Sequence, residues 1–188
     1  MFKIKNIKFN NNTNAFIIAE IGINHNGNIK NAFKLIDAAS RAKCNAVKFQ
    51  TFDVDTMVHD SADLANYQKK ITSDNQKKML KKYQLGYKDF IKIKKYCDKK
   101  RIIFLSTPFD IKSANFLKNL VPAFKISSGD NDNLILLNHI KKFKKPIILS
   151  LGMMNNSEIK EILKKLNIKK NKLSILHCIS EYPTKLSD

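Results

Sequence analysis

Apolar and polar positions along this chain switch between two rhythms. Short runs rich in Ile, Val and Phe fall at 16–21, 45–50, 101–106, 123–127, 146–150 and 173–178, with the length and composition of β-strands. Between them the apolar residues recur at helical spacing, over about 28–42, 75–82, 88–100, 110–119, 132–143 and 155–167. Asn28, Asp110 and Asn155 or Asn156 stand where the first turns need a side-chain acceptor. Strand, helix, strand, repeated, implies right-handed parallel βαβ units. Residues 1–15, with Asn10-Asn11-Asn12-Thr13-Asn14 inside, predict an N-terminal arm or hairpin. The segment 51–75 is a long excursion after the second strand, of the kind that serves a site. No low-complexity linker interrupts the pattern, so the sequence predicts one domain over 1–188.

Six βα repeats fit an open doubly wound sheet or a (β/α)₈ barrel that stops early. A dinucleotide-binding sheet wants G-x-G-x-x-G after its first strand. Gly22-Ile23-Asn24-His25-Asn26-Gly27 does not match that spacing. The expected class is therefore α/β, of the (β/α)₈ TIM-barrel type, truncated to about six βα units, since a whole barrel takes about 250 residues.

Composition narrows the function. A chain of 188 residues with 43% hydrophobic content can bury a substantial core. Its longest apolar runs are far shorter than a membrane span. Met1–Lys8 alternates charged and apolar residues, unlike a secretory signal. Cys44, Cys97 and Cys178 are odd in number and widely spaced, which reads as reduced thiols in a cytoplasmic protein. The formal charge of +19 raises a nucleic-acid partner. Against it, only Arg41 and Arg101 supply guanidinium groups, and aromatics are not interleaved with the lysines. A lysine-rich solvated surface is the better reading, with neither nucleic acid nor membrane as partner.

The chemistry-bearing residues gather at one end of the predicted strands, where barrels carry their sites. The first ends at Glu20, the second carries Lys48 and Gln50 on one face, the third ends Ser106-Thr107-Pro108, the fourth carries Lys125 and ends Ser127-Ser128, the fifth ends at Ser150 and the sixth at His177-Cys178. Each alone has a scaffold reading: a carboxylate bonded to amides, a snorkelling lysine, a helix-capping hydroxyl, a packed thiol. Two ammonium groups inside apolar strands are costly without an anionic or hydrogen-bonding partner, and favour a site for a small anion. The histidines show no metal-ligand spacing.

Glu20-Ile-Gly-Ile-Asn-His-Asn-Gly27, Val47-Lys-Phe-Gln-Thr-Phe52, Ser106-Thr-Pro-Phe109, Lys125-Ile-Ser-Ser-Gly129, Pro146-Ile-Ile-Leu-Ser150 with Gly152-Met153, and His177-Cys with Glu181-Tyr-Pro-Thr184 come in the order expected of the N-acetylneuraminate (sialic acid) synthase family, which the chain resembles along essentially its whole length. The resemblance implies a (β/α)₈ barrel that condenses phosphoenolpyruvate with an N-acetylated hexosamine, giving a nine-carbon 2-keto sugar acid and phosphate. By the same resemblance Lys48, Thr107, Lys125, Ser128 and Ser150 hold the phosphate and carboxylate. Gln50, Tyr182 and Asp130 lie towards the sugar, with Ser180 beside them, and Glu20 serves near the reacting carbons, handling a proton or stabilising positive charge. A divalent metal (Mn, Mg or Co) is implied for the whole enzyme, its histidine ligands lying beyond Asp188, and a homo-oligomer is in keeping with the family. The chain departs from the family's usual residues at Asp130 (Glu), Leu151 (Thr) and Ser180 (Asn or Thr). Phe49, Phe52 and Glu181-Tyr-Pro-Thr184 resemble the branch acting on diacetamido sugars of the legionaminic type. The alternatives are a different phosphate-binding barrel enzyme and a non-catalytic fragment acting as a binding module.

Overall fold

The computed structural model describes residues 1–9, 14–62, 75–180 and 184. They fall into two compact units, Phe16–Leu120 and Met1–Ala15 with Val121–Asp188. The chain opens on an antiparallel hairpin, β1 (Phe2–Ile4) and β2 (Ile7–Phe9). Its two-residue turn needs a positive φ, which Lys5 supplies at 51°. The facing pair Phe2 and Phe9 closes its open end, ring centroids 5.4 Å apart.

The unit Phe16–Leu120 runs β3 (Ile18–Gly22), α1 (Ile29–Arg41), β4 (Ala46–Thr51), α2 (Val54–Met57), α3 (Gln76–Tyr83), α4 (Tyr87–Lys99), β5 (Ile103–Pro108) and α5 (Ile111–Leu117). The three strands form a parallel sheet in the order β3-β4-β5. Asn28 and Asp110 cap α1 and α5 through their side chains, as the sequence predicts. One face of the sheet is packed under helices. There Phe49 is fully buried, with Phe104 at 5.9 Å and Phe90 of α4 edge-on at 6.3 Å. Such a side chain contributes about 2 kcal/mol by burial, so this aromatic cluster fixes which face of β4 turns away from the helices.

The other unit continues with β6 (Phe124–Ile126), a 3₁₀ turn (Ser128–Asp130), α6 (Leu134–Lys141), β7 (Ile147–Ser150), α7 (Asn156–Leu166), a second 3₁₀ turn (Lys170–Lys172) and β8 (Leu173–Leu176), its sheet ordered β6-β7-β8 and parallel. Asn155 and Glu158 form a capping box on α7, and Asn167 ends that helix in the left-handed region at φ 44°.

Several boundaries differ from expectation. The third strand, whose apolar run spans 101–106, is Ile103–Pro108: it starts two residues later and ends on Ser106-Thr107-Pro108, as the sequence predicts. The sixth ends at Leu176, which leaves His177 and Cys178 outside it, so Cys178 is not strand packing: it is half-buried, its thiol directed at the Leu176 carbonyl. The helix expected over 132–143 is Leu134–Lys141, because the Asn133 side chain accepts from the Leu136 N–H and starts it later. The excursion at 51–75 opens with α2, and its residues 63–74 lie outside those described. Among the described residues no helix is long and apolar enough to cross a membrane.

Candidate active site

On the first sheet, strand register puts four of the expected residues on one face. Glu20 is opposite Lys48, and Gln50 is opposite Thr107. Lys48 and Gln50 are two apart on β4 and so share that face, away from Phe49. Lys48 is only 7% exposed, and its Nζ lies 2.5 Å from Glu20 Oε2. An ammonium so placed would be costly alone, and the carboxylate meets that cost. Thr107 is buried, and its hydroxyl has no partner among the described residues. A buried hydroxyl is seldom left unsatisfied, so its donor and acceptor sites await something. Ser106, one residue earlier, faces the helices and pairs with the Thr51 hydroxyl at 2.7 Å, a structural bond the sequence gives no hint of.

On the second sheet Lys125 is also 7% exposed. Its ammonium donates to Ser150 Oγ at 2.5 Å and to the Ile126 carbonyl at 3.3 Å. Ser150 therefore presents its hydroxyl to a cation rather than capping a helix. Beyond the strands, Ser128 Oγ accepts from the Gly152 N–H at 3.1 Å. A Cβ added to Gly152 would meet Ser180 Oγ at 2.5 Å and Ser128 Oγ at 2.8 Å, so the two hydroxyls converge on this glycine. Asn131, which sequence reasoning missed, is buried and donates from Nδ2 to the Gly152 carbonyl at 2.9 Å, fixing the loop. Asp130 receives Asn133 Nδ2 at 3.3 Å, and burial raises its carboxyl above the usual range. Tyr182 lies outside the described residues.

The NeuB family profile matches residues 35–188. The chain belongs to the NeuB family. It is 40% identical over 180 residues to the N,N'-diacetyllegionaminic acid synthase of Campylobacter jejuni, covering 93% of this chain and 54% of that protein. It is 38% identical over 182 residues to the Legionella pneumophila protein of the same name, covering 93% and 51%. The chain thus spans about half the length of the curated relatives it matches. The sialic acid synthetase of Leptospira borgpetersenii, solved in complex with citrate, superimposes at a TM-score of 0.85 with 34% identity, over 99% of this chain and 61% of that one. The α/β fold with parallel sheets is thereby the fold of a sialic acid synthase.

Among the described residues of this NeuB-family chain no group of three or more His, Cys, Asp or Glu side chains could hold a metal ion. His25, part of the Glu20–Gly27 motif, is 1% exposed and lies over Phe49 at 5.9 Å. Its Nδ1 accepts from the Gly27 N–H, which leaves the proton on Nε2, where no described partner meets it. Burial lowers its pKa from 6.5 to about 4, so it is a neutral ring in the helix-facing layer, apart from the Lys48 face. The described residues do not by themselves make a metal centre.

Proposed function

We propose that this chain is part of an enzyme that condenses phosphoenolpyruvate with an N-acetylated hexosamine to form a sialic-acid-type 2-keto sugar acid and phosphate. The observation that carries the reading is the Glu20, Lys48, Gln50 and Thr107 set: a buried ammonium and an unsatisfied buried hydroxyl on one sheet face. Cations with neutral donors beside them suit a ligand bearing both phosphate and carboxylate. Lys125 with Ser150, and Ser128 with the Gly152 N–H, supply the same kinds of donor on the second sheet.

In the proposed reaction C3 of phosphoenolpyruvate attacks the aldehyde carbon of the open-chain sugar. Water adds at C2, and phosphate leaves with cleavage of its bond to C2. Lys48 and Lys125 hold the anionic groups, Thr107, Ser128 and Ser150 orient them, and Gln50, Asp130, Ser180 and Tyr182 face the sugar. Glu20 is half in solvent at the Lys48 ammonium, where a carboxylate can accept the proton released by the water that adds at C2 and pass one to the former aldehyde oxygen, as C2 changes from enol phosphate to hemiketal phosphate and then to ketone. The (β/α)₈ barrel type of fold and the legionaminic-type diacetamido sugar belong to the same proposal, the latter supported by the names of the 40% and 38% identical relatives.

Titration calorimetry of phosphoenolpyruvate against the chain tests the reading. Saturable binding that Lys125→Ala abolishes is expected. Binding unchanged by Lys125→Ala rejects the role given to that ammonium, and no binding to the unsubstituted chain rejects the site.

A further inference from the structure

Gln50 and Thr107 face each other where β4 and β5 run out of apolar residues. Packing of apolar side chains therefore does not by itself hold this end of the sheet. On the helix-facing side the Thr51 and Ser106 hydroxyls tie the two strands at 2.7 Å. One backbone bond follows, from the Phe109 N–H to the Thr51 carbonyl at 3.2 Å. Beyond it a side chain takes over: the Asp53 N–H donates to Asp110 Oδ2 at 3.2 Å.

Asp110 is at the same time the N-cap of α5. Its Oδ1 accepts from the Ser113 N–H and its Oδ2 from the Ser113 hydroxyl, both at 2.6 Å. A carboxylate only accepts, so the buried Ser113 gives its one proton to Asp110 and accepts from the Tyr87 O–H at 3.3 Å. Asp53 is in turn the N-cap of α2. One cap thus holds the backbone of the other, and the two stand three residues past Gln50 and Thr107. Lys112 also reaches Asp53 Oδ2, at 3.0 Å, but its side chain is 65% exposed, and an ion pair so open to water is worth little. The amide bond to a charged acceptor is the firmer tie. Capping alone would be served by Ser, Thr or Asn. Three donors arriving from two directions need two acceptor oxygens, which Asp alone among the favoured caps supplies.

We propose that Asp110 is a positioning residue. Its carboxylate joins the loop after β4 to the start of α5, and so fixes the spacing at which Gln50 and Thr107 meet a ligand. The role rests on the reading that this face takes phosphoenolpyruvate, which the Thr107 hydroxyl orients. A small displacement of that hydroxyl costs affinity, because hydrogen bonds weaken steeply as they lose alignment. Asp110 touches no substrate in this assignment and acts through Thr107.

Asp110→Asn tests it, because Asn caps a helix as well as Asp does but sets an NH₂ donor where the second oxygen stood. In nuclear magnetic resonance of the ligand-free chain, this variant should speed amide exchange at Asp53 and Phe109 and leave Ser113 and Ala114, at the start of α5, as slow as in the parent. Overhauser contacts between Gln50 and Thr107 should weaken. In calorimetry phosphoenolpyruvate should bind about fivefold more weakly, roughly the worth of one hydrogen bond. The double variant with Thr107→Val should bind no more weakly than Thr107→Val alone, whereas a general loss of structure would add to it. Unchanged exchange at Asp53, unchanged affinity or additive losses overturn the proposal. Should Asp110→Asn fail to fold, Asp110→Ser, which also caps but has a single oxygen, takes its place with the same outcomes. No binding to the unsubstituted chain rejects the proposed function rather than this role. The Overhauser contacts then decide: their persistence in Asp110→Asn overturns the positioning role, and their loss upholds it.

Discussion

Lys48 Nζ and Glu20 Oε2 stand 2.5 Å apart across the β3–β4 register, and the two partners are unequally buried: the Lys48 side chain is 9% exposed and that of Glu20 51%. The pair is therefore asymmetric in its energetics. Removing Glu20 strands an ammonium with little access to water, whereas removing the ammonium leaves a carboxylate that water can hydrate.

Glu20→Ala should accordingly destabilise the fold by about 2 to 3 kcal/mol, and Lys48→Met, which keeps the stem, by less than about 1 kcal/mol. Urea denaturation midpoints of the two variants check this. Equal losses would mean that the ammonium is not dependent on this carboxylate.

Thr107 offers a cleaner separation of stability from binding. Its hydroxyl is buried and has no described partner, so Thr107→Val removes an unsatisfied polar group while keeping the shape. The melting temperature should hold or rise, and phosphoenolpyruvate affinity should fall about tenfold, the worth of roughly one hydrogen bond to an anion. A variant that melts lower without losing affinity would show that the hydroxyl serves the fold.

Much of this was legible in the chain because strand periodicity is a strict rule. Lys48 and Gln50, two apart, had to share a face, and Asn28, Asp110 and Asn155 cap their helices as their types predict. The ends of the strands were less legible. β5 outlasts its apolar run because Gln50 and Thr51 of β4 go on pairing with Thr107 and Pro108, and its start at Ile103 rather than 101 follows no local propensity. Long-range bonds left no trace either: Asn131 on the Gly152 carbonyl and Thr51 on Ser106 join residues 21 and 55 apart. The Lys48–Glu20 pairing needed the register itself, since each residue alone admits a scaffold role.

His25 makes the fold sensitive to acid. Its pKa is about 4 in the folded chain against 6.5 when free of the fold. Above 6.5 the ring is neutral in both states and contributes no slope. Between 6.5 and about 4 the unfolded chain takes up a proton that the folded chain refuses, so stability should fall with pH, by at most about 1.4 kcal/mol per pH unit. His25→Phe keeps the contact with Phe49 and should flatten that slope. Urea titrations at about pH 7, 6 and 5 measure it, and an unchanged slope in the variant would assign the acid sensitivity to other groups.

Gly152 ties the Ser128 and Ser180 hydroxyls into one arrangement. An added Cβ would lie 2.5 Å from Ser180 Oγ, 2.8 Å from Ser128 Oγ and 3.2 Å from the Cys178 carbonyl. Both hydroxyls would have to turn away, and the Gly152 N–H would lose its bond to Ser128. Gly152→Ala should therefore cost about 1 to 3 kcal/mol. Because Ser180 Oγ is the nearest atom, Ser180→Ala should recover part of the loss in the double variant while having a smaller effect alone, a coupling that a double-mutant cycle of denaturation midpoints reads directly. Strict additivity of the two substitutions would show that the Ser180 side chain is free to yield, and that the backbone at Cys178 is what holds residue 152 to a glycine.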